Sequence, residues 1–309
     1  MTPAWSPSGS WMSIAIDAHA QQLYATQEGG CYALLHDLQV ERLVQRVGGG
    51  QVWGVRILSR HPGSEPGLVL FHVWHRSVEA WSSAFAQLWT YEAPSGFGID
   101  NVHAGDTDGD GADELLLSSG PPSSGLILLS SAGKVIWQQL GGDASSACLV
   151  RDPHSPNLSI PAWVSRGPVY VRERGGSERE WPVPGTTKAE TVCPGRTVDG
   201  RSGVFVGGRT EAGRAVVFCS DTGVANAVWM PSSDPMVRCE PSGNSGRLAV
   251  LLESGDLWVV DPGRGESKLV ERIPEATFSW HDIAWGKTDG GDDLLVVTVS
   301  AQMLAWTVT

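Results

Sequence analysis

NVHAGDTDGDGADELLLSSGPPSSGLILLSSAGKVIWQQ, residues 101–139, alternates short apolar runs with turn-forming clusters. Asn101–Ala104 reads as one short strand, Glu114–Ser118 as a second, Leu126–Leu129 as a third and Lys134–Gln139 as a fourth. Runs of about four to six residues rich in Val, Leu and aromatics, bounded by Gly, Pro, Asp and Ser, are what an antiparallel sheet needs. Nowhere in the stretch do apolar residues recur at the 3.6-residue spacing of an amphipathic helix.

The same order returns elsewhere. Ala189–Val192, Val204–Gly207, Ala215–Cys219 and Ala225–Trp229 make one copy, and Met236–Cys239, Leu248–Leu252, Leu257–Val260 and Lys268–Ile273 make another. Aligning the outermost runs gives Leu43-Val44, Leu88-Trp89, Ile136-Trp137, Glu180-Trp181, Val228-Trp229 and Leu269-Val270, a mean step of (270−44)/5, about 45 residues. That period matches the four-stranded blade of a β-propeller, about 40–50 residues, and 309 residues have room for about seven.

The expectation is therefore an all-β chain with a single domain over 1–309: a seven-bladed β-propeller of four-stranded antiparallel blades. Its units run 11–48, 49–95, 96–142, 143–186, 187–233, 234–275 and 276–309. The last unit shows only three runs, Ser279–Ala284, Leu294–Thr298 and Met303–Val308, whereas Ala4-Trp5 precedes the first inner run, Trp11–Ile16. A strand at 3–6 is expected to supply the missing fourth strand and close the ring, which removes the exposed edges that template aggregation.

Composition agrees. Gly 38 and Pro 19 together fill about one position in five. Each costs about 1 and about 3 kcal/mol in a helix interior, so long helices are excluded. With 34 acidic and 22 basic residues the net charge is −12, which argues against binding a nucleic-acid backbone. No apolar run approaches the ~20 residues of a membrane span. Residues 1–13 carry neither a basic n-region nor an apolar stretch, and five cysteines sit without a CxxC pair, so a reduced cytoplasmic protein is expected.

Gly105-Asp106-Thr107-Asp108-Gly109-Asp110-Gly111-Ala112-Asp113-Glu114-Leu115 carries the chemistry. Alternating carboxylates on a loop with Gly109 and Gly111 make an oxygen cage for a hard divalent cation, and calcium wants six to eight oxygens. Asp106, Asp108, Asp110 and Glu114 are the expected side-chain ligands, with the Ala112 carbonyl filling a further place and Asp113 pointing outward. Unneutralised, these acids would repel one another. An EF-hand would place its Glu where Leu117 stands and would have helical flanks.

The loop resembles the calcium loop of FG-GAP and VCBS repeats of integrin-α-type β-propellers, an Asp-x-Asp-Gly-Asp-Gly-x-x-Asp/Glu-Leu run between the first two strands of a blade. The resemblance implies a single calcium ion at this loop. Gly286-Lys287-Thr288-Asp289-Gly290-Gly291-Asp292-Asp293-Leu294 is similar but two residues shorter, with Lys287 at the first ligand position, where an ammonium would replace the ion. Gly195–Arg201 has lost the ligand set as well. More weakly, Gly133-Lys134-Val135-Ile136-Trp137 and Asp221-Thr222-Gly223 followed by Trp229 resemble strand endings of PQQ-like propellers, with no ligand set for the quinone.

Of the 14 tryptophans, Trp89, Trp137, Trp181 and Trp229 sit at equivalent places and are expected to pack between blades. Trp74, Trp81 and Trp285 fall outside that register and, with Phe85, are candidates for contacting a partner or a sugar. Cys148, Cys193 and Cys239 are spaced at nearly the repeat and each ends an inner strand. They read either as small buried residues or as a thiol cluster on the channel wall. His103 and His281 hold similar places near the channel mouth. No nucleophile elbow, zinc helix, P-loop or dinucleotide fingerprint is present. The reading is a non-catalytic scaffold binding another protein in a larger assembly, using stretches such as 76–87 or 282–293. A carbohydrate-binding or carbohydrate-active, lyase-like propeller is the alternative.

Overall fold

The computed structural model describes residues 11–17, 22–27, 30–34, 40–45, 54–59, 66–71, 75–82, 84–120, 124–142, 144, 146–165, 167–181, 183, 186–196, 201–211, 213–230, 232–242, 246–273, 281–288, 291–299 and 302–308. These residues form antiparallel sheets of consecutive strands. Blade one is β1 (Trp11–Asp17), β2 (Gln22–Gln27), β3 (Gly30–Leu34) and β4 (Val40–Gln45). Blade two is β5 (Gly54–Leu58), β6 (Gly67–Phe71), β7 (Ser77–Trp81) and β8 (Gln87–Glu92). Blade three is β9 (Asn101–Gly105), β10 (Glu114–Ser119), β11 (Gly125–Leu129) and β12 (Val135–Leu140). Blade four is β13 (Ser146–Asp152), β14 (Ser155–Val164), β15 (Val169–Arg172) and β16 (Glu178–Trp181). Blade five is β17 (Thr186–Arg196), β18 (Ser202–Thr210), β19 (Gly213–Ser220) and β20 (Gly223–Met230). Blade six is β21 (Met236–Pro241), β22 (Leu248–Leu252), β23 (Asp256–Asp261) and β24 (Glu266–Arg272), and the C-terminal sheet is β25 (Asp282–Lys287), β26 (Asp293–Val299) and β27 (Gln302–Val308).

This corrects the expected blade count. Among the described residues the propeller has six four-stranded blades, not seven, and the C-terminal sheet has three strands. A sequence period measures chain per unit and does not count the strands each unit contributes. The expected closing strand at 3–6 lies outside the described residues. What is seen to close the ring is β25 packing directly against β1. The inner strands β1, β5, β9, β13, β17, β21 and β25 each meet the next around the channel.

Three of the second strands, β6, β10 and β22, are buried along their whole length, whereas β14 and β18 expose residues towards their ends. Buried on both faces, the three read as continuous Leu and Val runs, because neighbouring blades cover each side. The outer strands β8 and β12 alternate exposed with half-buried positions. Tryptophans on the outer strands link one blade to the next. Trp89 Nε1 donates to the Ser131 carbonyl at 2.9 Å, and Trp137 lies 6.2 Å from Trp163 by ring centroid, with the Arg172 guanidinium 4.5 Å over its ring. Trp181 is buried among Val204, Val206, Ala215 and Val217 of blade five. The side chain of Trp229 lies outside the described residues. Among the described residues no helix is long and apolar enough to cross a membrane.

Candidate functional site

Two polar constellations stand on this scaffold, one on the rim of blade three and one in the channel. The first is the 106–114 loop joining β9 to β10. Gly109 and Gly111 take φ of 92° and 82°, the left-handed conformation that lets the chain turn within a few residues. Asp106 then accepts from Gly109 N at 2.6 Å and from Gly111 N at 3.0 Å. Glu114, the first residue of β10, accepts from Thr107 N at 2.7 Å and Thr107 Oγ1 at 2.9 Å.

Asp106, Asp108 and Glu114 each bring a carboxylate oxygen within 4.8 Å of the others. Burial pushes the Glu114 carboxyl above its ordinary range, the Thr107 bonds oppose this, and Asp108 and Asp110 add to the rise. A cation among these oxygens would remove that penalty, and an all-oxygen donor set suits a hard divalent ion. Asp110, expected as a fourth ligand, is exposed, and its Oδ1 accepts from Ala112 N at 2.7 Å. Asp113 does not hang outward. Its Oδ2 accepts from Ser59 N at 2.7 Å and its own N–H donates to the Ser59 carbonyl at 2.9 Å, fastening the loop to blade two.

The channel site was not singled out from sequence. Arg56 on β5 donates through Nη1 to Asp282 Oδ2 at 2.8 Å, through Nη2 to Asn101 Oδ1 at 2.9 Å, and through Nε to the Val102 carbonyl at 3.0 Å. Asp282 on β25 also accepts from Ser13 Oγ and from the backbone N–H groups of Ile14 and Ile283. Burial alone would raise the Asp282 carboxyl; Arg56 and Arg238, with the bonds from Arg56 and Ser13, outweigh it and hold the group below its ordinary value. One ion pair thus joins β25 to β1, β5 and β9 and pins the ring where its ends meet.

His103 faces the same space, 3.1 Å from Asn101 Nδ2. Burial first, then Arg56 and Arg238, lower its pKa to about 3, so it is neutral at physiological pH. Glu240 behaves oppositely: burial lifts it to about 7, against the pull of Arg56 and Arg238. His281 contributes its carbonyl, which accepts from Arg238 Nε at 3.1 Å.

Cys148, Cys193 and Cys239 lie within the inner strands β13, β17 and β21, not at their ends as expected. Cys148, Cys193, Cys219 and Cys239 are buried free thiols. Cys193 and Cys239 are hydrogen-bonded neighbours on adjacent inner strands, and Cys239 Sγ is 3.8 Å from Thr191 Oγ1. Burial drives Cys148 and Cys193 well above the ordinary thiol value and Cys219 to about 12. These are thiols rather than thiolates, and among the described residues no cysteine joins a group with metal-ligand geometry.

Of the aromatic candidates, Trp81 is half-buried with its indole N–H on Glu79 Oε2 at 3.2 Å. It packs with Phe85 against Ala15, Val55, Leu68 and Leu70. Phe85 adopts φ of 60° in the turn before β8. Trp285 is also half-buried, its N–H on the Glu240 carbonyl at 2.9 Å. Trp74 lies outside the described residues.

No protein-family model and no curated protein sequence matches the chain. Solved structures do. The chain is similar to selenomethionine-substituted virginiamycin B lyase from Staphylococcus aureus, with TM-score 0.70 and 8% identity over 97% of this chain and 95% of that one. It is equally similar to a chain of a mitotic checkpoint complex, with TM-score 0.70 and 14% identity over 99% and 92%. A third likeness is to a chain of the complex of BBS1N with ARL6DN, with TM-score 0.62 and 13% identity over 100% and 93%. At such identities the likeness is one of fold, and the fold is a β-propeller.

Proposed function

We propose that this chain is a non-catalytic scaffold whose rigid propeller disc binds another protein, and that a single calcium ion staples its third blade. The observation that carries the binding role is an apolar strip on the outer rim. Leu88 on β8 and Val135, Ile136 and Leu140 on β12 are exposed, and Trp89 beside Leu88 bonds to Ser131 in the turn that leads into β12. Three exposed large apolar side chains on β12, an outer strand of its sheet, suit a protein partner; Leu269 on β24 is exposed in the same way. Two of the similar folds come from protein complexes, which supports the same reading.

Catalysis finds little support among the described residues. The channel histidine is neutral and bonded to an amide, and Cys148, Cys193 and Cys219 are protonated and buried. The carbohydrate reading would need an open aromatic face, and Trp81 and Trp285 commit their N–H groups within the protein. For the metal, convergence of Asp106, Asp108 and Glu114, together with the FG-GAP and VCBS resemblance of the loop, supports calcium. Free thiols favour a reducing, cytoplasmic setting.

Affinity purification of the tagged protein from its own cells tests the scaffold role. A fixed partner should co-purify in constant ratio and should be lost with Ile136→Asp at unchanged melting temperature. Equal recovery with the variant, or recovery of no partner, rejects the reading.

A further inference from the structure

The channel contains a cavity of about 240 Å³ lined by residues of several inner strands, including Asn101, His103, Thr191, Arg238, Glu240 and Asp282. Most of its polar groups are already committed. Asp282 is paired with Arg56 and accepts as well from Ser13 Oγ and the N–H groups of Ile14 and Ile283; Arg56 in turn spends its guanidinium on Asp282, Asn101 and Val102. Asn101 closes on His103, and Thr191 on Cys239.

Arg238 and Glu240 are different. They stand two residues apart on β21, opposite Leu251 and Ala249 of β22, so both point to the same side of the sheet and both line the cavity. Yet among the described residues no ion pair joins them. Arg238 uses only Nε, on the His281 carbonyl, and no acceptor among the described residues meets its two terminal nitrogens. A guanidinium with its fork turned into a cavity, beside a carboxyl that no donor among the described residues holds, is an incomplete hydrogen-bonding arrangement in a place where burial makes such incompleteness costly.

We propose that this cavity is a binding site for a small organic carboxylate, received by the terminal nitrogens of Arg238, with Glu240 as the second contact. The parallel N–H groups of a guanidinium match the two oxygens of a carboxylate. The volume, below the roughly 300–1,000 Å³ of drug-sized sites, selects a molecule of a few carbons. Arg238 balances one carboxylate of the ligand, since Arg56 is matched by Asp282 and His103 is neutral; a second carboxylate is met by the protonated Glu240.

Glu240 then sets a pH dependence. In its protonated form it donates an O–H to the bound anion; ionised, it repels it. The charged and titratable groups around it are Arg56 on β5, His103 on β9, Cys148 on β13, Cys193 on β17, Arg238 and Cys239 on β21, and Asp282 on β25. The Glu240 carboxyl, lifted by burial to about 7, titrates in the physiological range. Affinity for an anion is therefore higher below that pH and falls above it, and binding takes up protons.

Titration calorimetry of the full chain with succinate, and with the uncharged succinamide as control, tests this. Succinate should bind saturably at about pH 6, weaken at least about tenfold by about pH 8, and succinamide should give no saturable heat. Arg238→Gln should weaken succinate binding at least about tenfold. Should that variant fail to fold, Arg238→Lys keeps the charge, loses the fork and should still weaken binding. Glu240→Gln should bind succinate with the slope between pH 6 and pH 8 removed. No saturable succinate binding up to about 10 mM, equal binding by succinamide, or undiminished binding by the folded Arg238 variants overturns the proposal. An unchanged pH slope in Glu240→Gln overturns the part given to Glu240. Partner recovery is a separate measurement, so failure here leaves the scaffold reading standing.

Discussion

Lys287 Nζ lies 2.5 Å from Asp293 Oδ1 in the C-terminal sheet. By sequence Lys287 stands where blade three has Asp106, and Asp293 where it has Glu114. The two loops thus hold a carboxylate at the head of the second strand, nearly buried in both cases. In one sheet an ammonium compensates it. In the other, Asp106 and Asp108 add further negative charge to the same place, and the proposed cation would be the physical counterpart of the lysine.

Chelation should therefore destabilise the protein. A single site saturated at about a hundred times its dissociation constant contributes about 2.7 kcal/mol. In a domain of this size each kcal/mol moves the melting temperature by about 2–4 °C. EDTA should lower the melting temperature by about 5–10 °C, calcium should restore it, and Asp108→Ala should melt at the lower temperature with or without chelator. An EDTA-insensitive melt of the unaltered protein rejects the staple.

Removing the lysine makes the mirror-image test. Lys287→Ala leaves the Asp293 carboxylate without its partner. The lysine side chain is 37% exposed, so water offsets part of the loss, and the expected cost is about 1–3 kcal/mol, below the value for a fully buried pair. The Lys287→Ala loss should be insensitive to EDTA when read beside the unaltered protein under the same chelator. Denaturant titration measures it.

The ion pair at the ring closure should matter more. Arg56→Ala strands Asp282, which is almost fully buried and also holds Ser13 and Ile14 of β1. Breaking a buried pair by deleting one partner costs about 3–5 kcal/mol. Because the folded-state Asp282 value is depressed, its stabilisation is present above the ordinary carboxylate value and is lost as pH falls through the lower folded value. Denaturation midpoints of Arg56→Ala and the unaltered protein should converge in strong acid.

Much of this architecture was open to reading along the chain, because a blade is a local object: its strands are consecutive and its turns carry Gly, Pro and Asp. The 106–114 loop was legible for the same reason, its donors lying within a few residues of one another. Arg56 and Asp282 lie 226 positions apart, and no local pattern links them. The signal was present in another direction. Ser13, Arg56, His103, Cys148 and Arg238 are each the third residue of an inner strand, so the channel wall emerges when the repeats are stacked and read across. The blade count went astray because the last unit was counted as a full blade on the strength of a strand at 3–6, and among the described residues that unit has three strands. Asp113 was misjudged because its partner, Ser59, belongs to the preceding blade.

His103 and Glu240 make opposite contributions to stability against pH. The folded His103 value, about 3, lies below the ordinary 6.5, so the unfolded chain takes up the proton first and stability falls as pH drops below about 6.5. The folded Glu240 value, about 7, lies above the ordinary 4.5, so the folded chain keeps its proton longer and stability falls as pH rises from about 4.5 to about 7. His103→Gln should flatten the acid side of the stability profile and Glu240→Gln the neutral side. Urea midpoints between about pH 4 and about pH 8 measure both slopes, and a Glu240→Gln profile that still falls toward pH 8 as steeply as the unaltered protein contradicts the assignment.

The strongest test of how blades are joined is a glycine. Gly133 has φ of 76° in the turn between β11 and β12, and a Cβ placed there would meet the Trp89 ring at 2.7 Å. Trp89 is held in that position by its bond to the Ser131 carbonyl, two residues before the glycine. Alanine at 133 would incur both the left-handed backbone penalty, about 1 kcal/mol, and a steric cost of about 1–3 kcal/mol as the ring is driven off. Trp89→Ala removes the ring and the bond, but it also removes the clash. Gly133→Ala should therefore cost about 2–4 kcal/mol alone and only about 1 kcal/mol more when added to Trp89→Ala. Additive losses in the double-mutant cycle would mean that the ring does not rest on this turn, and that blades two and three are joined by something else.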